Sequence, residues 1–266
     1  MSEYTIANAT NVLRLSEGAV RRAAEEHASL GALLKIVLRQ AHYEARLRWR
    51  RHIRFRSRHN DQAVRAYAAM DPWEFEGVNA RQAWANWRTI PRNLDRRAPS
   101  APLRAVDLCC GTGQSTQVLA YYLAAGSEIL GLEYNPRFVA SARGRSYRTR
   151  DGGPAHVTFH AQSVLEPFTD PAGALLPDHS VDMVNSSGAV GCHFDPDTTA
   201  VLAAQVDRVL RPGGLAFIDS GRSGTPEPEV RAIFGARGFE VLNRARSCVL
   251  DRYRQICFRK RGETAS

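Results

Sequence analysis

Two glycines and a later carboxylate are the residues with the clearest chemical potential in this chain. Gly111 and Gly113 separate an apolar run from a stretch with helical apolar spacing, and Glu133 follows Gly111 by 22 positions. Glycine lets the backbone turn sharply and approach a ligand closely. A glycine turn between a strand and a helix exposes N–H groups that suit a nucleotide-like ligand, and an acid at this offset suits ribose hydroxyls. The pattern predicts a site for a nucleotide-type cofactor.

The residues around these glycines resemble a known motif. Residues 107–113 read Asp-Leu-Cys-Cys-Gly-Thr-Gly, which resembles motif I of the class I S-adenosylmethionine-dependent methyltransferases, Asp-x-Gly-x-Gly-x-Gly. Cys109 stands where the first glycine is usual, and Thr116 stands where a nicotinamide-type fingerprint would have a third glycine. The resemblance implies S-adenosyl-L-methionine as the cofactor. The candidate cofactor-binding residues are Asp107, Cys109, Gly111, Gly113, Glu133, Tyr134, Gln162, Ser163 and Ser186.

The elements that would position this site follow in a regular order. Apolar runs that predict strands alternate with segments of helical spacing from residue 104 onward. The last two predicted strands, which begin at Gly238 and Arg252, have no helix between them, which resembles the antiparallel hairpin that closes the methyltransferase sheet. We therefore expect an α/β fold with a seven-stranded, mostly parallel, doubly wound sheet, a C-terminal antiparallel hairpin and an N-terminal helical extension.

Charge divides the chain into two parts. Residues 1–100 hold 18 Lys and Arg against 10 Asp and Glu, whereas residues 101–266 hold 18 against 17. This asymmetry indicates a domain boundary near residue 100 and an anionic partner for the first part. With the helical apolar spacing of the first part, we predict a helical N-terminal extension over residues 1–100 and a cofactor-binding domain over residues 101–266. No apolar run reaches the ~18 residues of a membrane span, and the first residues lack a signal-peptide pattern. We therefore expect a cytoplasmic protein.

The N-terminal part contains an apolar stripe followed by a basic stretch. Seven arginines interleave with aromatic and aliphatic residues over residues 46–58. The stretch is compatible with a solvated helix face, with binding of a phosphate-bearing group such as nucleic acid or a carrier-borne arm, or with an anionic membrane surface. The sequence leaves these alternatives open. The stripe consists of Leu30, Leu33, Leu34, Val37, Leu38, Ala41 and Ala45.

A tryptophan pair before the first strand has two interpretations. Trp84 and Trp87 either pack a helix onto the main domain or, with Phe75, Tyr67 and Arg81, form a lid over the substrate. In class I methyltransferases an N-terminal extension commonly forms such a lid, so Phe75, Arg81, Trp84 and Trp87 are candidate substrate residues.

Candidate catalytic residues follow the predicted strands. His193, Asp219 and Tyr134 lie after strands four, five and two, and His193 is the best candidate base because histidine titrates near neutral pH. Packing or turn-capping roles remain open for His193 and Asp219. The five cysteines show no metal-site spacing, and we predict no metal.

These observations predict a methyltransferase that acts on oxygen, nitrogen or carbon of a small molecule, which a carrier can tether. There is no Asp/Asn-Pro-Pro-Tyr-like run and no Pro-Cys pair after strand four. Their absence argues against methylation of nucleic-acid bases. An RNA methyltransferase is the alternative within the class. A cofactor-binding scaffold without catalysis is the alternative outside it, and the oligomeric state stays open.

Overall fold

The chain folds around a seven-stranded sheet. The computed structural model describes residues 29–51, 65–94, 101–248 and 253–262. The sheet order is β3-β2-β1-β4-β5-β7-β6, and its strands are β1 Arg104–Leu108, β2 Glu128–Glu133, β3 His156–Ala161, β4 Val181–Ser186, β5 Leu210–Ser220, β6 Phe239–Ala245 and β7 Arg254–Lys260. Strands β1 to β5 pair in parallel, and β7 is antiparallel to both β5 and β6. The predicted fold class is confirmed.

Helices cover both faces of the sheet. They are α1 Leu30–Arg51, α2 Pro72–Val78, α3 Ala80–Leu94, α4 Gln114–Tyr122, α5 Pro136–Arg143, α6 Val190–His193, α7 Pro196–Val209 and α8 Glu227–Gly235. None of these helices combines the length and the apolar character that a membrane crossing requires. The predictions for residues 1–28, 52–64 and 95–100 lie outside the described residues.

Pleating of the sheet divides its apolar side chains between two cores. Val106 and Leu108 of β1 face α7 and α8, whereas Ala105 faces α3 and α4. Alternation of this kind follows from the two-residue period of a strand. Trp87 and Ile90 of α3 are buried in the second core. Helix α3 is therefore a packed layer of the sheet, although it lies before the predicted boundary at residue 100.

Helix α1 packs on α2 and α3 with the side opposite to the predicted apolar stripe. Leu47 is buried, and the Tyr43 ring lies directly against Gly77, where there is no room for a Cβ atom. In contrast, Leu34 and Leu38 of the stripe are exposed. The stripe exists as the sequence predicts, but it faces solvent.

The connection from α7 into β5 runs through a proline and a glycine pair. The proline and the two glycines of residues 212–214 are typical of a turn that ends a helix. Leu210 instead already pairs with Val181, and regular pairing resumes at Leu215 with Met183. The glycine pair therefore forms an irregularity within one long strand, with Gly213 at φ +78°.

The loop after β4 depends on a close backbone contact. A Cβ atom on Gly191 would overlap the backbone of Ser220 and would lie 2.6 Å from the Gly221 nitrogen. This contact sets the position of α6 against the end of β5. The close packing leaves no space for any other residue type at position 191.

We expect Gly191→Ala to lower the free energy of unfolding by about 1–3 kcal/mol, because backbone must shift to admit the methyl group. Gly235→Ala is the matched control, since a Cβ there meets nothing within 4 Å. It should leave stability unchanged or raise it by up to about 1 kcal/mol. Urea unfolding followed by circular dichroism measures both, and equal stability of the two variants would contradict this packing.

Candidate functional site

A buried carboxylate anchors the glycine loop that follows β1. Asp107 accepts hydrogen bonds from Ser115 Oγ at 2.7 Å, Thr116 Oγ1 at 2.6 Å and Asn185 Nδ2 at 2.7 Å. Burial raises the pKa of Asp107 to about 6, and the three hydrogen bonds oppose this shift. Asp107 thus joins β1, the start of α4 and β4, and it lies beneath the loop rather than among the residues that line the adjacent cavity.

The anchored loop has an unusual backbone. Cys109, Gly111 and Gly113 have φ values of +51°, +56° and +85°. The left-handed region suits glycine and is strained for cysteine. Phe75 packs against Gly111, and Tyr147 packs against Gly113, so that neither position has space for a Cβ atom. Cys109 lines the cavity, whereas the two glycines shape the loop behind it.

An ion pair fixes α2 against the same loop. Arg145, just after α5, pairs with Glu76 of α2, and both side chains are nearly buried. The Arg145 guanidinium also donates to Thr112 Oγ1 at 3.2 Å. The N-terminal helices and the glycine loop therefore share a polar contact as well as the Phe75 contact.

Glu133 stands at the carboxyl end of β2, as the sequence predicts, and lines the cavity. Its Oε2 accepts the Gly111 N–H at 3.0 Å, and its Oε1 accepts the Asn135 N–H at 2.9 Å. Burial raises the pKa of Glu133, whereas these backbone donors lower it. The carboxylate is thus held rigidly at the cavity wall, beside Tyr134, which is half exposed and also lines the cavity.

Of the two predicted cofactor residues after β3, Ser163 and Gln162, only Ser163 lines the cavity. Ser163 lines the cavity together with Val164 and Leu165. Gln162 instead accepts the Thr169 N–H at 2.8 Å and donates to the Pro167 carbonyl at 3.2 Å. Gln162 therefore shapes the loop that carries Ser163 and does not line the cavity.

After β4 and β5 two further predicted residues lie behind the cavity. Ser186 donates to Asp219 at 3.0 Å, and Asp219 also accepts the Gly191 N–H at 2.8 Å. Burial raises the pKa of Asp219. The pair holds the loop between β4 and α6 in place, and the next residue, Ser187, lines the cavity instead.

His193 meets Tyr67 across the cavity wall. The Tyr67 hydroxyl lies 2.7 Å from His193 Nε2, and the two rings meet edge to face with centroids 5.0 Å apart. Burial raises the pKa of Tyr67 well above its ordinary value, so the phenol is neutral at physiological pH. Both residues line the cavity.

Helix α3 presents amides, not tryptophans, to the cavity. Gln82 and Asn86 line it together with Asn79. Gln82 Nε2 donates to Asn86 Oδ1 at 3.0 Å, and Ser187 Oγ donates to the same oxygen at 2.8 Å. Positions 82, 83 and 86 share one face of α3 and Asn79 directly precedes the helix, and this spacing is the sequence signal that marks them.

Three of the four candidate substrate residues therefore lie elsewhere. Trp84 Nε1 donates to the Ser29 carbonyl at 3.1 Å, and Trp87 packs edge to face on Tyr121 at 5.5 Å. The Arg81 guanidinium lies over the Tyr253 ring at 5.6 Å. Phe75 lines the cavity, as does Tyr67, which the lid prediction also included, whereas the tryptophans pack on the opposite side of α3.

The cavity has a volume of about 240 Å³. Strand-end residues form one side, and the segment from Tyr67 to Asn86 forms the other. The lining residues in the described part of the chain include no Lys or Arg, and no cluster of three or more metal-ligating side chains occurs among the residues described. The aromatic lining residues are Tyr67, Phe75, Tyr134, Phe138 and Phe194.

The comparisons with known proteins agree with this architecture. The sequence family described as "Methyltransferase domain" matches residues 100–236. A demethylmenaquinone methyltransferase from Anoxybacillus flavithermus is 30% identical over 112 residues, which are 42% of this chain and 41% of that protein. The chain thus matches about two fifths of the length of this curated relative.

Two solved structures show the same fold. A chain from the complex between the Haloferax volcanii Trm112 methyltransferase activator and a methyltransferase is 19% identical, with a TM-score of 0.55 over 74% of this chain and 97% of that chain. An S-adenosylmethionine-dependent methyltransferase from Methanosarcina mazei is 15% identical, with a TM-score of 0.51 over 63% of this chain and 96% of that chain. At these identities the likeness concerns the fold alone.

We expect Glu133→Gln to weaken binding of S-adenosylhomocysteine by about 10- to 100-fold, since a hydrogen bond to a charged group contributes about 1.5–3 kcal/mol. Glutamine keeps one acceptor oxygen for the loop, so the fold should persist. Glu166→Gln is the control, because Glu166 is exposed on the neighbouring loop. Titration calorimetry that gives equal affinities for both variants would exclude a ligand contact at Glu133.

Proposed function

Because this chain belongs to the methyltransferase-domain family, whose class I fold it has and whose cofactor is S-adenosyl-L-methionine, we propose that it transfers a methyl group to a small molecule. One observation carries the proposal. A single cavity is bounded on one side by the strand ends that follow β1, β2, β3 and β4, and on the other by aromatic and amide side chains of the N-terminal helices. Cofactor and acceptor would meet in this cavity.

The residues at the strand ends fit the cofactor. The Glu133 carboxylate has the acceptor oxygens that ribose hydroxyls require, and Ser163 provides an uncharged group for the adenine edge. Cys109, Cys110 and Ser115 of the glycine loop and the start of α4 line the same cavity. Asp107, Gln162 and Ser186 act indirectly, because they hold these loops. When bound, the cofactor supplies an electrophilic methyl group on a sulfonium.

The other side of the cavity fits a small, largely uncharged acceptor with a ring. The Phe75 and Phe138 rings meet at an interplanar angle of 40° with centroids 4.4 Å apart and offer an apolar wall, while Gln82 and Asn86 offer amide hydrogen bonds. The relative from Anoxybacillus flavithermus is named for a quinone, demethylmenaquinone. A reduced quinone combines a flat ring with hydroxyl groups, as this side of the cavity requires. We therefore favour a hydroxylated aromatic molecule as the acceptor, with oxygen or an adjacent carbon as the methylated atom.

Tyr67 and His193 provide a route for the acceptor's proton. A hydroxyl that donates to Tyr67 Oη can pass its proton there while the Tyr67 proton moves to His193 Nε2. One O–H bond breaks, the Tyr67 O–H bond re-forms, and the imidazole becomes an imidazolium. Positioned proton transfer of this kind contributes about 10²–10⁴-fold to a rate. Asp219 acts as a positioning residue for the loop that ends at His193, and Tyr134 lies at the cavity wall beside the cofactor residues.

The direct test uses purified full-length chain and methyl-labelled S-adenosylmethionine. The acceptors are a panel of hydroxylated aromatics that includes catechol and 1,4-naphthalenediol, and total RNA is tested in parallel. Label in at least one ring compound supports the proposal. Label confined to RNA would favour the nucleic-acid alternative, and cofactor binding without transfer to any acceptor would favour the scaffold.

Tyr67→Phe and His193→Gln should each lower kcat by about 10²-fold or more, because each variant interrupts the proton route. Their affinities for S-adenosylhomocysteine should stay within about twofold of the parent chain. Tyr43→Phe is the matched control, because the Tyr43 ring packs against Gly77 and Trp73, away from the cavity. Steady-state kinetics in which Tyr67→Phe turns over as fast as Tyr43→Phe would remove Tyr67 from the reaction.

A further inference from the structure

The outer face of α1 is apolar and exposed along most of its length. Leu34, Val37 and Leu38 are 68%, 40% and 63% exposed, and Trp49 is 85% exposed. Ala41 and Ala45 complete the same face and are exposed. From Leu34 to Trp49 this outer stripe extends over about 22 Å, at 1.5 Å per residue. None of the described residues covers it, although exposed apolar stripes of this length mark interaction sites.

Basic residues flank the outer stripe. Lys35 and Arg48 are exposed beside the stripe. Arg46 lies further round the helix, where its guanidinium stacks over the Trp73 ring at 5.6 Å. The one acid of α1, Glu44, is turned toward the protein, where it accepts a hydrogen bond from Gln40 at 2.8 Å. The face that meets solvent is therefore both apolar and cationic.

We propose that the outer stripe of α1 docks on an anionic lipid bilayer surface. A helix with leucine and tryptophan on one face and Lys and Arg beside them lies in the membrane interface, where its apolar face enters the headgroup boundary by about 5–10 Å. Trp49 suits this depth because tryptophan is enriched at membrane interfaces. Anionic headgroups attract the flanking cations.

Charge argues against the two main alternative occupants. A second copy of the chain would place Lys35 and Arg48 of one helix near the same cations of the other, with no acid on either outer face to compensate. Nucleic acid offers negative charge but no aliphatic surface on which to bury Leu34 and Leu38. An anionic bilayer satisfies both the charge and the apolar area.

The inner face of the same helix adjoins the proposed reaction site. Gln40 and Glu44 line a second cavity of about 50 Å³ together with Tyr67 and His193, and Gln40 Oε1 accepts the Arg81 N–H at 3.0 Å. Docking would thus bring the acceptor side of the main cavity within one helix width of the bilayer. This consequence for the acceptor rests on the proposed function, whereas the docking itself does not.

The test is flotation of the full-length chain with vesicles. We expect binding to phosphatidylcholine vesicles that contain 30% phosphatidylglycerol and at least about tenfold weaker binding to pure phosphatidylcholine. Leu34→Glu with Leu38→Glu should weaken binding to the anionic vesicles at least about tenfold, and Lys35→Gln with Arg48→Gln should weaken it several-fold. Leu175→Glu is the control, because Leu175 is an exposed leucine on a distant loop, and it should bind as the parent does.

Unchanged affinity for S-adenosylhomocysteine shows that each variant is folded, and it is measured separately from methyl transfer, so failure of the proposed function leaves this test intact. Absence of binding to anionic vesicles, or equal binding by the Leu34/Leu38 double variant, would overturn the proposal. So would a dimer in sedimentation equilibrium that the same double variant converts to a monomer without any vesicle binding, because the outer stripe would then be a self-association surface.

Discussion

The site depends on a buried chain of hydrogen bonds that begins at the Asp107 carboxylate. Asn185 donates to Asp107 at 2.7 Å, Gln255 donates to Asn185 at 2.9 Å, and Asn93 of α3 donates to Gln255 at 3.2 Å. A buried carboxylate is costly unless its oxygens are satisfied, and removal of one partner leaves the others unpaired. The chain therefore couples the glycine loop, the middle of the sheet and the N-terminal helices into one arrangement, and it explains why the cavity lies where these three parts meet.

Helix α3 shows how one element serves both packing and recognition. Its tryptophan side completes the core under the sheet, and its amide side faces the cavity. The burial of Trp87 and Ile90 against β-strand side chains fixes the rotation of the helix, and that rotation places Gln82 and Asn86 in the cavity. The main core and the Glu76–Arg145 ion pair hold the N-terminal helices in place beside the cavity. The rigidity suits a reaction in which alignment of the reacting atoms supplies most of the rate acceleration.

The fold could be predicted from local sequence patterns, whereas the details of the site depend on contacts between residues far apart in the sequence. The loop between β1 and α4 and the position of Glu133 were predictable because each depends on neighbours in the sequence. The Tyr67–His193 pair spans 126 residues, so that no local pattern contains it. The apolar stripe of α1 was correctly located, but the helix packs through the smaller apolar set of Ile36, Tyr43 and Leu47, and this choice depends on contacts with α2 and α3 that no local pattern contains. Asp107 and Gly113 were predicted to contact the ligand, whereas in the structure these two residues hold the glycine loop in its conformation.

The proposed function requires that cofactor and acceptor share the cavity between the strand ends and the N-terminal helices. A crystal structure of the full-length chain with S-adenosylhomocysteine tests it most directly. We predict that the ribose hydroxyls lie within hydrogen-bond distance of the Glu133 carboxylate, that the adenine lies beside Ser163, and that the sulfur faces the Tyr67–His193 pair. A nucleoside bound outside this cavity, or a sulfur directed away from Tyr67 and His193, would contradict the account.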